Sequence, residues 1–448
     1  MLKVNSTSIR RRQLLAGILV GGGSVMLHKN AAVAQNPVIN KLANDPVKIT
    51  RVRAIATAPD GIRLVVVKVE TDQPGLYGLG CATFNQRPLP VMEAVTSYLD
   101  PFAKGRSADN IEDIWQTAYT SSYWRNGPVL NNALSGLDMA LWDIKGKRAG
   151  MPVYQLLGGK CRFAVDLYAH ASGQDAKAIE DSVRSYIEKG YRHIRIQLGG
   201  YGAAHLSSSP DFREAGFGLP KDDHMSSRPY LMAMPKVFEH VRATIGDNIE
   251  LLHDVHERVE PIEAIRLVKE LEQYRPFFIE DPFAPEQNGY FKLLRQQSSC
   301  PIAMGELFNN PHEWIDLITN RYIDFIRVHL SQIGGLTPAR KLATLAEHFG
   351  VRSAWHGPGD VSPVGHACNA HLDLAIHNFG IQEGPRFSER LREVFPGCPE
   401  IRNGYLHVNE LPGFGIDIDE TLAAKYPLPD DPGFWKPVRR RDGTAVRP

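Results

Sequence analysis

Leu251-Leu252-His253-Asp254, Phe278-Ile279-Glu280 and Ala303-Met304-Gly305-Glu306 are three short apolar runs that each end in a carboxylate. The carboxylates are evenly spaced, since the differences 280 − 254 and 306 − 280 are equal. A span of this length holds one strand and one helix, so the spacing predicts three successive strands of a parallel sheet. In a closed α/β barrel the carboxyl ends of such strands meet at one rim, where active sites form. The three side chains are therefore predicted to converge at that rim.

Three carboxylates that converge would repel one another strongly unless a cation is present. A purely oxygen donor set is the one that a hard cation such as Mg²⁺ prefers. A single carboxylate at a strand end is explained more simply as a helix cap or as the partner of a nearby arginine. The repeated spacing of Asp254, Glu280 and Glu306 instead predicts a binding site for one Mg²⁺.

The alternation of short apolar strands with helical segments continues on both sides of these runs, over residues 161–390. Helical segments such as 262–274 and 338–349 separate the strands. No G-x-G-x-x-G follows a strand and no G-x-x-x-x-G-K-[ST] occurs, so neither dinucleotide nor P-loop binding is supported. Eight strand-helix units predict an α/β fold with a closed, TIM-like barrel, with strands at 163–169, 193–197, 249–254, 277–280, 302–305, 325–329, 352–355 and one ending at Glu383.

A different pattern precedes the barrel, over residues 47–160. Residues 62–69 are rich in β-branched side chains and predict a strand, and the Gly-rich segment 75–80 predicts a turn. Apolar residues at helical spacing then predict a helix over 132–149, which Gly150 ends. This part of the chain is predicted to be an α+β domain, and residues 391–448 form a separate C-terminal segment.

Residues 1–34 are predicted to be an export signal and not part of the fold. Arg10-Arg11-Arg12 precede an apolar, Gly-rich stretch, and Ala32-Val33-Ala34 offers the small residues of a cleavage site. The paired arginines resemble a twin-arginine signal, which predicts a periplasmic protein that begins at Gln35. The alternative is a membrane anchor, but the apolar stretch is shorter than a spanning helix requires. Residues 35–46 are predicted to be a linker.

Charge and cysteine content exclude several classes of protein. The formal net charge is +1, with 51 basic and 50 acidic residues, which argues against a nucleic-acid partner or a polybasic membrane surface. The five cysteines form no C-x-x-C pair, so they are interpreted as mostly buried free thiols. One disulfide in an oxidising compartment is the alternative.

Several motifs together resemble a known family. They are His253-Asp254-Val255-His256-Glu257-Arg258, Glu280-Asp281-Pro282, residues 168–171, residues 356–363 and residues 378–383. The first two are similar to the enolase superfamily, and the full set is similar to its mannonate dehydratase family. The resemblance implies a (β/α)₇β barrel and an α+β capping domain, which the C-terminal segment completes. It also implies removal of the proton next to a carboxylate through an enediolate that Mg²⁺ stabilises. Loss of the β-hydroxyl then yields a 2-keto-3-deoxy sugar acid.

Three residues take catalytic roles by this resemblance. His256 lies two residues after Asp254, so alternation along a strand end predicts that both side chains lie on the same side of the chain. It matches the general acid that assists departure of the hydroxide, a task suited to the near-neutral pKa of histidine. Arg195 matches an arginine that partners a tyrosine base, and arginine itself stays protonated. The family's tyrosine position falls here in residues 207–209, which are all serine, so Tyr201 is the candidate substitute. Both lie in the long loop 201–228, which is predicted to be either a lid or a surface insertion.

The resemblance also assigns contacts to the substrate, which is expected to be a small sugar acid. His329 stands where racemase relatives carry an aspartate paired with a histidine, so the His–Asp dyad of racemases is missing. The C-terminal tail lacks the tryptophan that follows Asp442-Gly443-Thr444 in the family, which leaves substrate preference open. The assigned contact residues are Asn85, His170, Arg327, His356, Asp360 and Glu383.

The leading hypothesis from the sequence is dehydration of D-mannonate or D-gluconate. The altered tyrosine position leaves open a non-catalytic sugar-acid binder, and the scaffold also leaves open an epimerase or racemase. The family further implies a homo-oligomer.

Overall fold

A computed structural model describes residues 46–199, 223–431, 438–440 and 442–447. The predicted export signal 1–34 and most of the linker 35–46 lie outside these residues. No helix among the described residues is both long enough and apolar enough to cross a membrane. All five cysteines are free thiols, four of them buried and Cys161 exposed.

An antiparallel sheet forms the first layer of the N-terminal part. Strands β1 (Ile49–Thr57), β2 (Leu64–Thr71) and β3 (Tyr77–Cys81) lie in the order β1-β2-β3. The sequence prediction of a turn over 75–80 is wrong for most of that segment, which belongs to β3. Its glycines serve packing: a Cβ on Gly80 would lie 2.0 Å from the carbonyl oxygen of Gly136.

Helices follow this sheet in the chain. They are α1 (Pro88–Glu93), which continues as a π-helical turn (Ala94–Leu99), α2 (Asp100–Ala103), α3 (Ile111–Ser121), α4 (Pro128–Ala149) and α5 (Val153–Leu156). The long helix α4 is buried along most of its length and packs against β2 and β3. It ends at Gly150, which adopts the left-handed conformation that glycine accepts readily.

Eight parallel strands form a barrel, which confirms the predicted α/β fold class with its capping domain. The strands are β4 (Val165–Gly173), β5 (His193–Leu198), β7 (Glu250–Asp254), β8 (Phe278–Glu280), β9 (Ile302–Met304), β10 (Phe325–Ile326), β11 (Arg352–Ser353) and β12 (Gln382–Glu383). The seven intervening helices are α6 (Ala176–Glu188), α7 (Ser227–Ile245), α8 (Pro261–Leu271), α9 (Tyr290–Gln297), α10 (Pro311–Thr319), α11 (Leu336–His348) and α12 (Pro363–Ala375).

The barrel closes between its last strand and its first. Each strand from β4 to β10 pairs in parallel with the next barrel strand, and β12 pairs with β4. A bridge from Ser353 to Phe379, just before β12, completes the ring. Inside lies a small apolar cluster of residues from seven strands or their immediate ends: Tyr168, Leu252, Phe278, Ala303, Phe325, Ala354 and Ile381. The interior is therefore a packed core and not a channel.

The C-terminal segment contacts both the barrel and the N-terminal sheet, although it was predicted simply to complete the capping domain. After α13 (Glu389–Val394), the hairpin β13 (Glu400–Arg402) and β14 (Tyr405–His407) pairs with the barrel strand β4. Helix α14 (Glu420–Ala423) packs on β1, where Glu420 forms ion pairs with Arg53 and Lys68. Strand β15 (Val438–Arg439) pairs with β16 (Ala445–Val446) on one side and with β6 (Asp223–His224) on the other. The segment thus supports both the N-terminal sheet and the barrel.

Asp138 on α4 joins the N-terminal helices to the barrel. Its carboxylate accepts hydrogen bonds from the backbone N–H and the hydroxyl of Thr337, at 2.9 and 2.5 Å, at the first turn of α11. The residue before α11 is Gly335, which has no side chain for capping, so Asp138 caps the helix from another element. Glycine is required there, because its φ is +106° and a Cβ would lie 2.6 Å from the Asp138 carboxylate.

We expect Asp138→Ala to lower the free energy of unfolding by about 2–4 kcal/mol, since it removes a helix cap and leaves buried donors without an acceptor. Urea denaturation followed by circular dichroism measures the change. The control is Asp113→Ala on the neighbouring helix α3, where the side chain is exposed and a change within about 0.5 kcal/mol is expected. A loss in Asp138→Ala no larger than in that control would contradict the capping role.

Candidate active site

Every strand of the barrel contributes one polar side chain to a ring at one end. The contributing residues lie in the strand or within three residues after it, as expected for the rim where barrel active sites form. From the first strand to the eighth they are His170, Arg195, Asp254, Glu280, Glu306, Arg327, His356 and Glu383. The structure therefore brings together the three predicted metal ligands and five further predicted site residues.

Arg327 is the hub of this ring. Its fully buried guanidinium lies 2.8 Å from Glu280, 3.0 Å from Asp281 and 2.8 Å from Glu383, and it also contacts Glu306. Burial of a charge is costly unless ionic and hydrogen-bonding partners surround it. The four carboxylates supply those partners, so Arg327 fixes the positions of acids from three strand ends.

Arg195 makes a second bridge, on the other side of Glu280. One of its terminal nitrogens lies 2.5 Å from Glu280 and 3.2 Å from Asp254. The other nitrogen lies 3.3 Å from Nδ1 of His170. Despite burial, the pKa of Arg195 is raised well above its ordinary value by these carboxylates, so the side chain stays charged. Arg195 is thus an electrostatic partner and not itself a base.

The site contains more carboxylates than guanidinium groups. Seven carboxylates (Asp254, Glu257, Glu280, Asp281, Glu306, Asp360 and Glu383) face three guanidinium groups, those of Arg87, Arg195 and Arg327. Burial, together with neighbouring carboxylates such as Glu280, raises the pKa of Asp254 to about 6. By contrast, the Arg327 charge and nearby histidines outweigh burial and lower the pKa of Glu306 to about 2.

The donor set fits Mg²⁺. Oδ1 of Asp254 is buried and has no hydrogen-bond partner among the described residues. The excess of carboxylates needs a cation to balance it, and oxygen ligands suit a hard one. Asp254, Glu280 and Glu306 are the residues that would hold it, although both Glu280 oxygens also contact arginine here.

His256 lies in the site for a reason other than the one that the sequence suggested. Strand alternation was expected to carry it to the same side as Asp254, but β7 ends at Asp254. His256 and Glu257 then adopt left-handed φ angles of +53° and +50°, which break the alternation. This turn places Nε2 of His256 3.4 Å from Glu306.

A cavity of about 660 Å³ opens over the ring. Its walls include the predicted residues Arg195, His256, Glu306, Arg327, His356, Asp360 and Glu383, and the N-terminal domain contributes Asn85. Oδ1 of Asn85 accepts a hydrogen bond from the backbone N–H of Arg63, which fixes the orientation of the amide.

His170 departs from its predicted place. It lines a smaller adjacent cavity of about 420 Å³, and its Nε2 lies 2.9 Å from a carboxylate oxygen of Glu383. Burial and the neighbouring Arg195 charge lower the pKa of His170. Its observed contacts therefore orient Arg195 and Glu383, although it was predicted to bind substrate.

Tyr201, the candidate base, lies outside the described residues. So does most of the predicted loop 201–228. The last part of this loop forms the short strand β6 and the start of helix α7, which begins at Ser227. The observed geometry around Arg195 therefore neither places the base nor excludes it.

Several residues with site contacts were not predicted. Tyr168 donates to Glu280 at 3.1 Å, and Asp281 contacts Arg327. Glu257 lines the cavity, where burial raises its pKa to about 7. Gln332 also lines it, and its Oε1 accepts from Asn132 of helix α4 at 3.1 Å. Tyr168, Glu257 and Asp281 stood within the quoted motifs, but no sequence signal joined Gln332 to Asn132, which lies far earlier in the chain.

Comparison with known proteins shows the same two-part organisation. Residues 38–158 match the family described as Mandelate racemase / muconate lactonizing enzyme, N-terminal domain. Residues 178–422 match the Enolase C-terminal domain-like family. The crystal structure of an enolase from Pantoea ananatis with bound D-gluconate and Mg has a TM-score of 0.86 and 53% identity, covering 90% of this chain and 100% of that one.

Curated relatives are similar over nearly their whole length. A D-galactonate dehydratase family member from Salmonella enteritidis PT4 is 55% identical over 413 residues, which cover 90% of this chain and 99% of the relative. Another from Paenibacillus sp. (strain JDR-2) is 47% identical over 412 residues, with 90% and 100% coverage. The enolase superfamily expected from the motifs is confirmed, but these relatives carry the D-galactonate dehydratase name and not specifically that of mannonate dehydratase.

Proposed function

Because this chain belongs to the D-galactonate dehydratase family of the enolase superfamily, we propose that it dehydrates an aldonic acid to a 2-keto-3-deoxy acid. Dehydratases of this superfamily are Mg²⁺-dependent lyases, and the chain is an enzyme of that class. The observation that carries the proposal is the convergence of Asp254, Glu280 and Glu306 beneath the 660 Å³ cavity. The candidate substrates are D-gluconate, D-mannonate and D-galactonate.

Different residues of the site are proposed to hold the cation and to bind the substrate. Asp254, Glu280 and Glu306 would hold Mg²⁺, which when bound would offset the negative charge that develops as the proton next to the substrate carboxylate leaves. His356, Asp360 and Asn85 line the cavity and are the proposed contacts of the substrate hydroxyls. His356 Nδ1 and Asp360 Oδ1 are buried with no hydrogen-bond partner among the described residues, so both have hydrogen-bonding capacity to offer.

The reaction moves one proton and one hydroxide. Tyr201, three residues beyond the end of β5 at Leu198, is the proposed base, with the charge of Arg195 favouring its ionised form. The proton leaves C2, the C2–C3 double bond forms as the C3–O bond breaks, and His256 donates a proton to the departing hydroxide. Water leaves, and the resulting enol tautomerises to the 2-keto acid.

The function is tested by turnover of aldonic acids. The purified protein with Mg²⁺ is mixed with each of the three candidate acids, and 2-keto-3-deoxy products are measured. Product formation that is lost in Tyr201→Phe and abolished by a chelator is expected. Binding of an acid without turnover would instead support the non-catalytic binder, which the serines at 207–209 suggest. Exchange of the C2 proton without dehydration in the wild type would support an epimerase or racemase.

We expect His256→Asn to lower the dehydration rate by about 10²–10⁴-fold, the contribution typical of a general acid. Exchange of the C2 proton with solvent deuterium should persist, because proton removal is assigned to a different residue. Proton NMR of the substrate in D₂O measures exchange and dehydration together. The control is His312→Asn, on the outer helix α10. Equal loss of exchange and dehydration in His256→Asn would contradict the assignment of the acid.

We expect Gln332→Leu to raise the KM for the aldonic acid about tenfold, as loss of one hydrogen bond of about 1.4 kcal/mol implies. Asn132 engages only the oxygen of the Gln332 amide, so the NH₂ group is available to a substrate hydroxyl. Steady-state kinetics and Mg²⁺ titration measure the effect, and the Mg²⁺ affinity should not change. Gln332→Glu keeps the shape but removes the donor, so a KM that rises in Leu and not in Glu would contradict this contact.

We also propose that residues 1–34 direct export of the protein to the periplasm. The proposal rests on Arg10-Arg11-Arg12 and the apolar stretch that follows. Cell fractionation of the wild type and of a variant with Arg11 and Arg12 changed to Lys tests it. Equal periplasmic amounts of both proteins would contradict a twin-arginine route.

A further inference from the structure

The turn between helices α3 and α4 presents an exposed tryptophan. Trp124 is 81% exposed, and the neighbouring Tyr123 is 76% exposed. Tyr123 has a φ of +60°, a backbone conformation that bulky residues rarely adopt. Two hydrogen bonds of 2.8 Å between Ser122 and Trp124 hold the turn in this shape. Strained conformations of this kind concentrate at functional sites, which makes the turn a candidate contact surface.

An apolar cavity lies next to this turn, away from the proposed active site. Its volume is about 480 Å³, and Ser122 and Asn126 of the turn line it. Cavities of about 300–1,000 Å³ hold small organic molecules, so a tryptophan side chain fits. The apolar and aromatic side chains that line it are Tyr98, Leu99, Phe102, Tyr119, Leu130 and Leu134. The same surface therefore offers both a projecting indole and a cavity large enough to hold one.

A surface with these two features can bind a second copy of itself. In a two-fold dimer each patch faces the same patch of its partner, so Trp124 of each protomer can enter the cavity of the other. Tyr98 is 71% exposed, and together with Tyr123 and Trp124 it would bury roughly 900 Å² in a symmetric pair. Crystal contacts mostly bury less than about 800 Å², and specific interfaces begin near 1,200 Å², which a modest polar rim would supply.

The charges beside the patch are compatible with self-association. Arg125 lies next to Trp124, and Glu93 precedes Ala94 of the cavity wall, and both side chains are exposed. A rim with both signs of charge can face a copy of itself without net repulsion.

The patch is also anchored to the barrel. Asn131, which lines the cavity, donates to the backbone oxygens of Asn309 and Gln332, at 2.8 Å each. A surface that is already fixed loses little conformational entropy when a partner binds.

We propose that Tyr98, Tyr123, Trp124 and Leu130 form a surface that binds a second copy of this chain, by reciprocal insertion of Trp124 into the neighbouring cavity. Self-association through this surface is independent of which sugar acid the enzyme converts.

Sedimentation velocity of the full-length protein over a wide range of concentrations tests this surface. We expect the wild type to form a dimer or a larger even-numbered assembly. Trp124→Ser should weaken the contact about a thousandfold, because a two-fold interface loses the same aromatic anchor twice. Leu130→Arg, which places a charge at the cavity, should have a similar effect. Phe163→Ser is the matched control, since Phe163 is 83% exposed outside this surface and its loss should leave the assembly unchanged.

A mixture of the two variants tests reciprocal insertion directly. Trp124→Ser keeps the cavity and Leu130→Arg keeps the tryptophan, so a mixed pair regains one of the two insertions. We expect the mixed pair to bind about thirtyfold more tightly than either variant binds itself. The proposal is overturned if the wild type is monomeric, if Trp124→Ser retains the wild-type assembly, or if the mixture stays dissociated. A monomeric wild type that binds an apolar dye at this surface only after removal of residues 1–45 would show that the chain's own N-terminal segment covers it instead.

Discussion

Replacing Glu280 by glutamine is expected to abolish turnover of every aldonic acid while leaving the fold intact. The side chain is fully buried at the centre of the proposed metal site, between Arg195 and Arg327. Glutamine keeps its shape but removes the charge that a hard cation requires. Loss of the cation would forfeit several kcal/mol of transition-state stabilisation, which corresponds to a fall in kcat of about a thousandfold or more.

Mg²⁺ titration by calorimetry and steady-state kinetics check this result together. Circular dichroism and the melting temperature show whether the fold survives. Glu286→Gln is the matched control, because Glu286 lies shortly after Glu280 in the chain and is exposed. Turnover in Glu280→Gln within tenfold of the wild type, with Mg²⁺ still bound, would remove Glu280 from the ligand set.

Arg327→Met is expected to lower the free energy of unfolding by about 3–5 kcal/mol at pH 8, because it leaves buried carboxylates without their cation. Glu280, Asp281, Glu306 and Glu383 all contact this guanidinium. Methionine retains much of the volume, so the lost charge and not a cavity dominates the effect. Urea denaturation at several pH values, with and without Mg²⁺, measures it.

The sign of the pH dependence follows from the carboxylates. Although burial opposes ionisation, the Arg327 charge helps to lower the pKa of Glu306 to about 2 and that of Glu383 well below its ordinary value. Their contribution to stability is therefore present above the unfolded-state pKa, near 4.5, and is lost as the pH falls through the folded-state values. Without Arg327 the carboxylates become easier to protonate, so the deficit of Arg327→Met should shrink between pH 8 and pH 5.

Mg²⁺ should also recover part of the lost stability, since it supplies positive charge to the same carboxylates. Arg266→Met, at an exposed position of helix α8, is the control and should change stability by about 0.5 kcal/mol or less. A deficit of the same size at every pH would indicate lost packing in place of lost charge.

The barrel and the residues of its ring could be predicted from the sequence, because both depend on the order of strands and helices along the chain. The equal spacing of Asp254, Glu280 and Glu306 reports one strand and one helix per interval, and the strand end then fixes which rim each carboxylate occupies. The segment 75–80 was misread for the opposite reason. Its glycines suit a turn, but their actual role is to let α4 approach β3, and that contact appears only in three dimensions.

The hydrogen-bond network of the site was less predictable. The sequence matched Arg327 to a substrate contact, whereas its observed partners are four carboxylates brought together by the closed barrel. His256 was placed in the site by an alternation rule that its left-handed backbone does not obey. In both cases the sequence identified the residue, and long-range packing decided what the residue contacts.

The pairing of β12 with β4 has a consequence for how the chain is made. Leu167 pairs with Gln382, which lies near the other end of the barrel sequence, so the ring stays open until most of the polypeptide has emerged from the ribosome. Until then β4 presents an unpaired edge along which another nascent chain could align. Contacts of such long sequence separation also slow folding. Slower translation near the 3′ end of the message should therefore not help this protein fold, whereas chaperones that shield strand edges should.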